Sequence, residues 1–101
     1  MRKVILTAAT LTAVSAAAAS ASAIERACLA SGRSGASVQL CRCVQQAADL
    51  TLSSRDQSRA VKFFRDPHQA QVVRRSDRRT DEEFWRRYRA FGQTAEAYCG
   101  G

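Results

Sequence analysis

Four cysteines carry the most reactive side chains in this chain: Cys28, Cys41, Cys43 and Cys99. Two of them sit one residue apart in Leu40–Gln46, "LCRCVQQ". A pair so close can ligate a metal, run thiol chemistry or belong to two separate disulfides. Consecutive helical positions turn by about 100°, so on a helix Cys41 and Cys43 point about 200° apart. There they can neither close on each other nor grip one ion together, but each can reach a different neighbour. Haem attachment needs Cys-x-x-Cys-His, which is absent. A zinc knuckle wants two to four residues between its cysteines, and a thioredoxin-type site wants Cys-x-x-Cys at a helix start. No cofactor is therefore called for. Were the segment not helical, Cys41 and Cys43 would remain a candidate thiol-redox or copper-handling pair.

The other polar residues make no catalytic set. His68 is the single histidine and follows Pro67 in polar surroundings. Neither a Gly-x-Ser-x-Gly elbow nor a phosphate-binding glycine loop occurs. Glu82 with Arg86 and Glu83 with Arg87 stand at i, i+4 in the acid-first order that supports a helix. The expected protein is not an enzyme. The formal net charge is +7, and Arg74, Arg75, Arg78, Arg79, Arg86, Arg87 and Arg89 cluster before and within the last helical stretch. Such a patch suits an acidic protein partner or, less well, an anionic membrane surface. Nucleic acid is a poor partner for an exported chain. Trp85 stands one position off the apolar stripe of its helix, so a partly exposed indole there is the best single anchor for a partner.

These side chains must be positioned by a small structure. The chain opens with Arg2 and Lys3, an apolar run from Val4 to Val14, and an Ala/Ser stretch closing in Ala21-Ser22-Ala23. Those are the three parts of a secretory signal peptide, too short in its apolar part for a membrane span. Cleavage is expected after Ala23, placing a single domain, residues 24–101, in the periplasm or outside the cell. At roughly 80 residues such a domain is near the size where a hydrophobic core needs staples. All four cysteines fall within it, and an even count in a short exported chain reads as a disulfide framework.

Apolar residues recur at three and four rather than two, which predicts an all-α fold, a disulfide-stapled bundle of about four to five short helices. The first spans about 24–31 and ends at the Gly32–Gly35 turn. The second, about 36–52, has one stripe of Val38, Cys41, Val44, Ala48 and Leu52 and another of Leu40, Cys43, Ala47 and Leu50, which places it centrally. Ser54 with Gln57 reads as a capping box opening the third, which carries Val61, Phe63 and Phe64 and stops at Asp66-Pro67. Asp66 caps a fourth helix with Pro67 at its first position, bearing Val72 and Val73. Thr80 with Glu83 reads as a box opening the last, whose Phe84, Tyr88, Phe91, Ala95 and Tyr98 line one buried face.

In that frame, Cys28 and either Cys41 or Cys43 flank the glycine turn and can staple a helical hairpin, leaving Cys99 for the remaining partner. Cys28–Cys41 with Cys43–Cys99 is slightly preferred over the crossed pairing, because Cys41 lies closer to the turn. A short bridge stabilises by roughly 3 kcal/mol and a long one by roughly 4 in the chain-entropy treatment.

The segments "ACLASGRSGASVQLCRCVQQAADLTLS", "RAVKFFRDPHQAQVVRRSD" and "FWRRYRAFGQTAEAYC" together resemble a family of small exported alphaproteobacterial proteins with four cysteines. The resemblance spans nearly all of residues 24–101. Members are commonly labelled "arginine transporter", and the resemblance implies export, a helical fold and disulfides. A chain without a span after signal cleavage offers nothing to transport through. The reading that follows is a small soluble periplasmic helical protein with a structural or protein-interaction role, its partner an envelope or periplasmic protein. The alternatives are the thiol-redox or copper reading at Cys41 and Cys43, and a binder of anionic surfaces or of a small ligand such as arginine.

Overall fold

A computed structural model describes residues 22–100, and within them the fold is all-α. Five helices follow one another: α1 (Ala23–Ala30), α2 (Val38–Thr51), α3 (Ser54–Arg65), α4 (Pro67–Arg75) and α5 (Arg79–Cys99). The signal-peptide reading falls mostly on residues 1–21, outside the described residues; its expected cleavage point lies at the first residue of α1. No helix among the described residues is long and apolar enough to cross a membrane.

Local chemistry sets most helix ends. Ser37 caps α2 by accepting from the Leu40 N–H, and Asp66 caps α4 by accepting from the His68 N–H, with Pro67 at the first position. Gly100 closes α5 in the left-handed conformation (φ 80°), which costs a residue without Cβ nothing. Two expected capping boxes shift. Ser53 rather than Ser54 caps α3, accepting from the Asp56 N–H, so Gln57 lies beyond the box. At α5 the helix begins one residue before Thr80, Arg78 occupies the cap without a side-chain bond, and Ser76 Oγ accepts from the Arg78 N–H. A serine pair or a threonine near a helix start signals a beginning but does not say which residue is the cap.

The core gathers Ile24, Ala47, Ala48, Leu52, Ala60, Phe63, Val73, Phe84 and Phe91 from all five helices. Phe84, 1% exposed, is the largest side chain so enclosed. Burying a phenylalanine of this kind contributes about 1.5–3 kcal/mol. Its ring lies 5.9 Å from Phe63 in an edge arrangement and 5.9 Å from Tyr88 in a stacked one. Tyr88 also stands edge-on to Phe63 at 5.1 Å. Burial pushes the Tyr88 phenol above the ordinary tyrosine range, with Arg33 pulling it partly back.

α2 is central as expected, packing along α1 and α5. Each of its two proposed stripes is buried only in part, however: Cys41, Ala48 and Leu52 of the first and Ala47 of the second lie inside. Leu40 and Leu50 are exposed, Leu50 at 71%, and Val38 of the first stripe is exposed as well. Gln45 takes an interior place instead, completing a Cys41, Gln45, Ala48, Leu52 line at helical spacing. Val72 and Tyr98 also stay outside.

The two disulfides are Cys28–Cys41 and Cys43–Cys99, with Cα–Cα distances of 5.6 Å and 5.8 Å. The first staples the α1–α2 hairpin across the glycine turn. The second ties the start of α2 to the end of α5. The helical separation of Cys41 from Cys43 thus sends neighbouring cysteines to partners on opposite sides of α2.

Candidate functional site

The arginines expected to form one face separate into two groups. Arg87 leaves the face altogether. Its Nε donates to Asp56 Oδ2 at 2.7 Å and its Nη2 to Asp56 Oδ1 at 3.1 Å, a two-pronged pair joining α5 to α3. Asp56 is buried, and the Arg87 guanidinium holds its carboxyl below the ordinary carboxylate range against the opposing effect of burial. The Glu83–Arg87 pairing expected from sequence is replaced by this longer-range one. Neither it nor the Glu82–Arg86 pairing closes to an ion pair in the structure; the two ion pairs among the described residues are Arg87–Asp56 and Arg59–Asp81.

Arg59 repeats the theme from α3. Its Nη2 donates to Asp81 at the start of α5, and its guanidinium lies 4.5 Å from the centre of the Phe84 ring. Hydrogen bonding from Arg59 and then from Ser76 lowers the Asp81 carboxyl from its usual value. A cation over an aromatic face and beside an acid is a positioning device, and it seats α5 on α3. No sequence signal announces pairs separated by so many residues.

A buried amide network was also missed. Gln45 Oε1 accepts from the Glu25 N–H at 2.9 Å, filling a backbone donor that the first turn of α1 leaves open. Ser22 makes no side-chain cap there, so α2 caps α1 from across the interface. Gln45 Nε2 donates to Asp49 Oδ1 and Gln57 Oε1, both at 2.9 Å. Gln57 Nε2 donates in turn to Asp49 Oδ1 and the Leu52 carbonyl. Three helices are locked by groups with every partner supplied. The available signal was Gln45 itself, a polar residue on an otherwise apolar line.

What remains is a shallow groove between α4 and α5, about 460 Å³, lined by Gln71, Arg74, Trp85 and Arg89. α4 brings Gln71 and Arg74, one helical step apart, with an Arg74 Nη1 to Gln71 Oε1 contact at 3.5 Å. α5 brings Trp85 and Arg89 at i, i+4, on one side of the helix. Trp85 is half-buried, packed on the core edge with its ring 5.3 Å from Tyr88. Arg74 and Arg89 are exposed, and neither makes an ion pair. Arg75, Arg78, Arg79 and Arg86 are exposed but lie outside this groove. Three of the eight residues proposed for the face are therefore brought together, and one, Arg87, belongs to the fold.

The other expected chemistry is dispersed. Cys41 and Cys43 are each bonded to a different partner, and no group of three His, Cys, Asp or Glu side chains that could hold a metal occurs among the described residues. His68 is exposed beside Asp66. The arrangement can offer an indole surface flanked by two fixed positive charges, which suits binding an anionic group. No family model, curated protein or solved structure matches this chain.

Proposed function

We propose that this is a small exported helical interaction domain, without catalysis, that binds an acidic segment of an envelope protein along the α4–α5 face. The observation that carries the reading is the Gln71, Arg74, Trp85, Arg89 groove, where two guanidinia without carboxylate partners flank a half-buried indole. Arg59 and Arg87 have acids built to meet them, whereas Arg74 and Arg89 meet none and are set apart from the other exposed arginines by standing together beside an aromatic surface. Trp and Arg are the residue types that most often dominate binding energy at interfaces, because each couples a large apolar body to directional donors. Export to an oxidising compartment accords with two closed disulfides, which reducing cytosol does not favour. The resemblance to exported four-cysteine proteins points the same way, and the transporter label attached to them finds no spanning helix among the described residues.

The test is site-specific photo-crosslinking in cells from position 71, with position 50 as an exposed control on another helix. A distinct adduct from position 71 alone, lost when Arg74→Glu and Arg89→Glu are combined, supports the face and its charge preference. Identical adducts from both positions, or an adduct indifferent to the charge reversal, would sink it. A lipid-only adduct would instead favour attachment to an anionic membrane surface.

A further inference from the structure

We infer that Cys43–Cys99 is a site of thiol–disulfide exchange, opened by a dithiol reductant that attacks Cys99 Sγ, while Cys28–Cys41 stays closed. The two bonds sit in unlike surroundings. Cys41 is 0% exposed and Cys28 is 7% exposed. Cys43 and Cys99 are both half-buried, and Cys99 forms part of the wall of an open groove of about 440 Å³ together with Leu40, Val44, Gly92, Ala95 and Glu96. Exchange requires a thiolate to approach in line with the S–S bond, so access decides which disulfide reacts first. A path exists to Cys99, whereas Cys28–Cys41 is closed off between α1 and α2.

The helix ends choose the direction of attack. Cys99 is the last residue of α5, at the negative end of the helix dipole, with Glu96 one turn before it. A thiolate is disfavoured there. Cys43 lies in the first half of α2, without that penalty. The preferred step is attack of the reductant thiolate on Cys99 Sγ. The reductant–Cys99 bond forms, the Cys99–Cys43 bond breaks, and the electron pair leaves on Cys43 as its thiolate. The second thiol of the reductant then displaces Cys99, leaving an oxidised reductant and two protein thiols, a two-electron transfer in all.

The consequence is local. Beyond Phe91, α5 exposes Gly92, Gln93, Glu96, Ala97 and Tyr98, and Ala95 is the one side chain there packed on the core. Opening the bond frees these last turns and uncovers Val44 on α2, beside the already exposed Leu40.

The experiment takes the oxidised full chain under native conditions through graded dithiothreitol, with acid quench, alkylation and tryptic mapping. Cleavage after Arg42 separates Cys41 from Cys43. Labelling of Cys43 and Cys99 is expected about tenfold faster or more than that of Cys28 and Cys41. Equal rates, or Cys28–Cys41 opening first, overturn the proposal. A parallel arm uses the uncharged monothiol 2-mercaptoethanol, whose trapped adduct is expected on Cys99; an adduct mainly on Cys43 overturns the direction of attack. Hydrogen exchange on the partly reduced protein should quicken over residues 92–99 and not over 84–91. No change over 92–99 refutes the release of the helix end.

Discussion

The two halves of α5 are held by different means. From Arg79 to Phe91 the helix is fixed by packing and charge: Phe84 and Phe91 are buried, Tyr88 contacts Phe63, and Asp81 and Arg87 each pair with α3. From Gly92 to Cys99 there is little of either, with Ala95 against the core and the Cys43–Cys99 bond at the end. A helix of 21 residues outruns the shorter helices around it, so its last turns lack a second neighbour. A covalent link holds where burial does not suffice, as expected of a domain too small to enclose every helix. The first half would therefore respond most to mutation of side chains, and the second to loss of the bond.

The largest effect expected is from Phe84→Ala. Its ring has no route to solvent, and the loss should approach about 5 kcal/mol, measured by denaturant unfolding. A loss below about 1 kcal/mol would mean that the aromatic cluster does not anchor the first half. Next comes Cys43→Ser combined with Cys99→Ser. This opens the longer of the two disulfide loops (sequence separation 56) and should cost about 4 kcal/mol in the chain-entropy treatment. The corresponding loss for Cys28→Ser with Cys41→Ser, across a separation of 13, is about 3 kcal/mol. Hydrogen exchange should show the first double variant loosening residues 92–99 selectively; uniform loosening would erase the contrast between the halves.

Arg87→Ala should cost about 1–2 kcal/mol at neutral pH, discounted from a fully buried pair because the Arg87 side chain is 47% exposed. It carries a pH signature. Arg87 lowers the Asp56 pKa in the folded state, so the pair's stabilisation is present above the unfolded value, near 4. That stabilisation is lost as pH falls from there through the lower folded value. Urea midpoints of the wild type should decline across that acid window, and the variant's should decline less. Equal slopes would show that Asp56 is not the titrating group. The smallest effect is a gain. Gly92 lies mid-helix with open space where a Cβ would stand, so Gly92→Ala should stabilise by about 0.5–1 kcal/mol. Destabilisation would reveal packing in the second half that the groove beside Gly92 denies.

Much of the architecture was legible because it is local. Asp66-Pro67 marks a helix boundary through a fixed φ and a carboxylate cap. The Phe84, Tyr88, Phe91, Ala95 spacing marks a face through the helical repeat, and failed only at Tyr98, where the partner surface runs out. The two cysteine partnerships were narrowed by the same geometry. The site was less legible. Trp85 follows from its offset in the helical stripe, but the sequence treats Arg86, Arg87 and Arg89 alike. Gln57 reads as a cap when only its own helix is considered.

By itself, then, the sequence determined the helical class, the breaks between helices and the framework of four cysteines, since each depends on a repeat or a short-range steric rule. Tertiary structure alone decided the use of individual polar side chains. Arg87 meets Asp56 thirty-one positions away, and Gln45 caps a helix twenty positions before it. Arg89 meets no acid and is left at the surface beside Trp85 and Arg74. Charge and hydrogen-bonding capacity are properties of a residue, but a partner at bonding distance is a property of the packed chain.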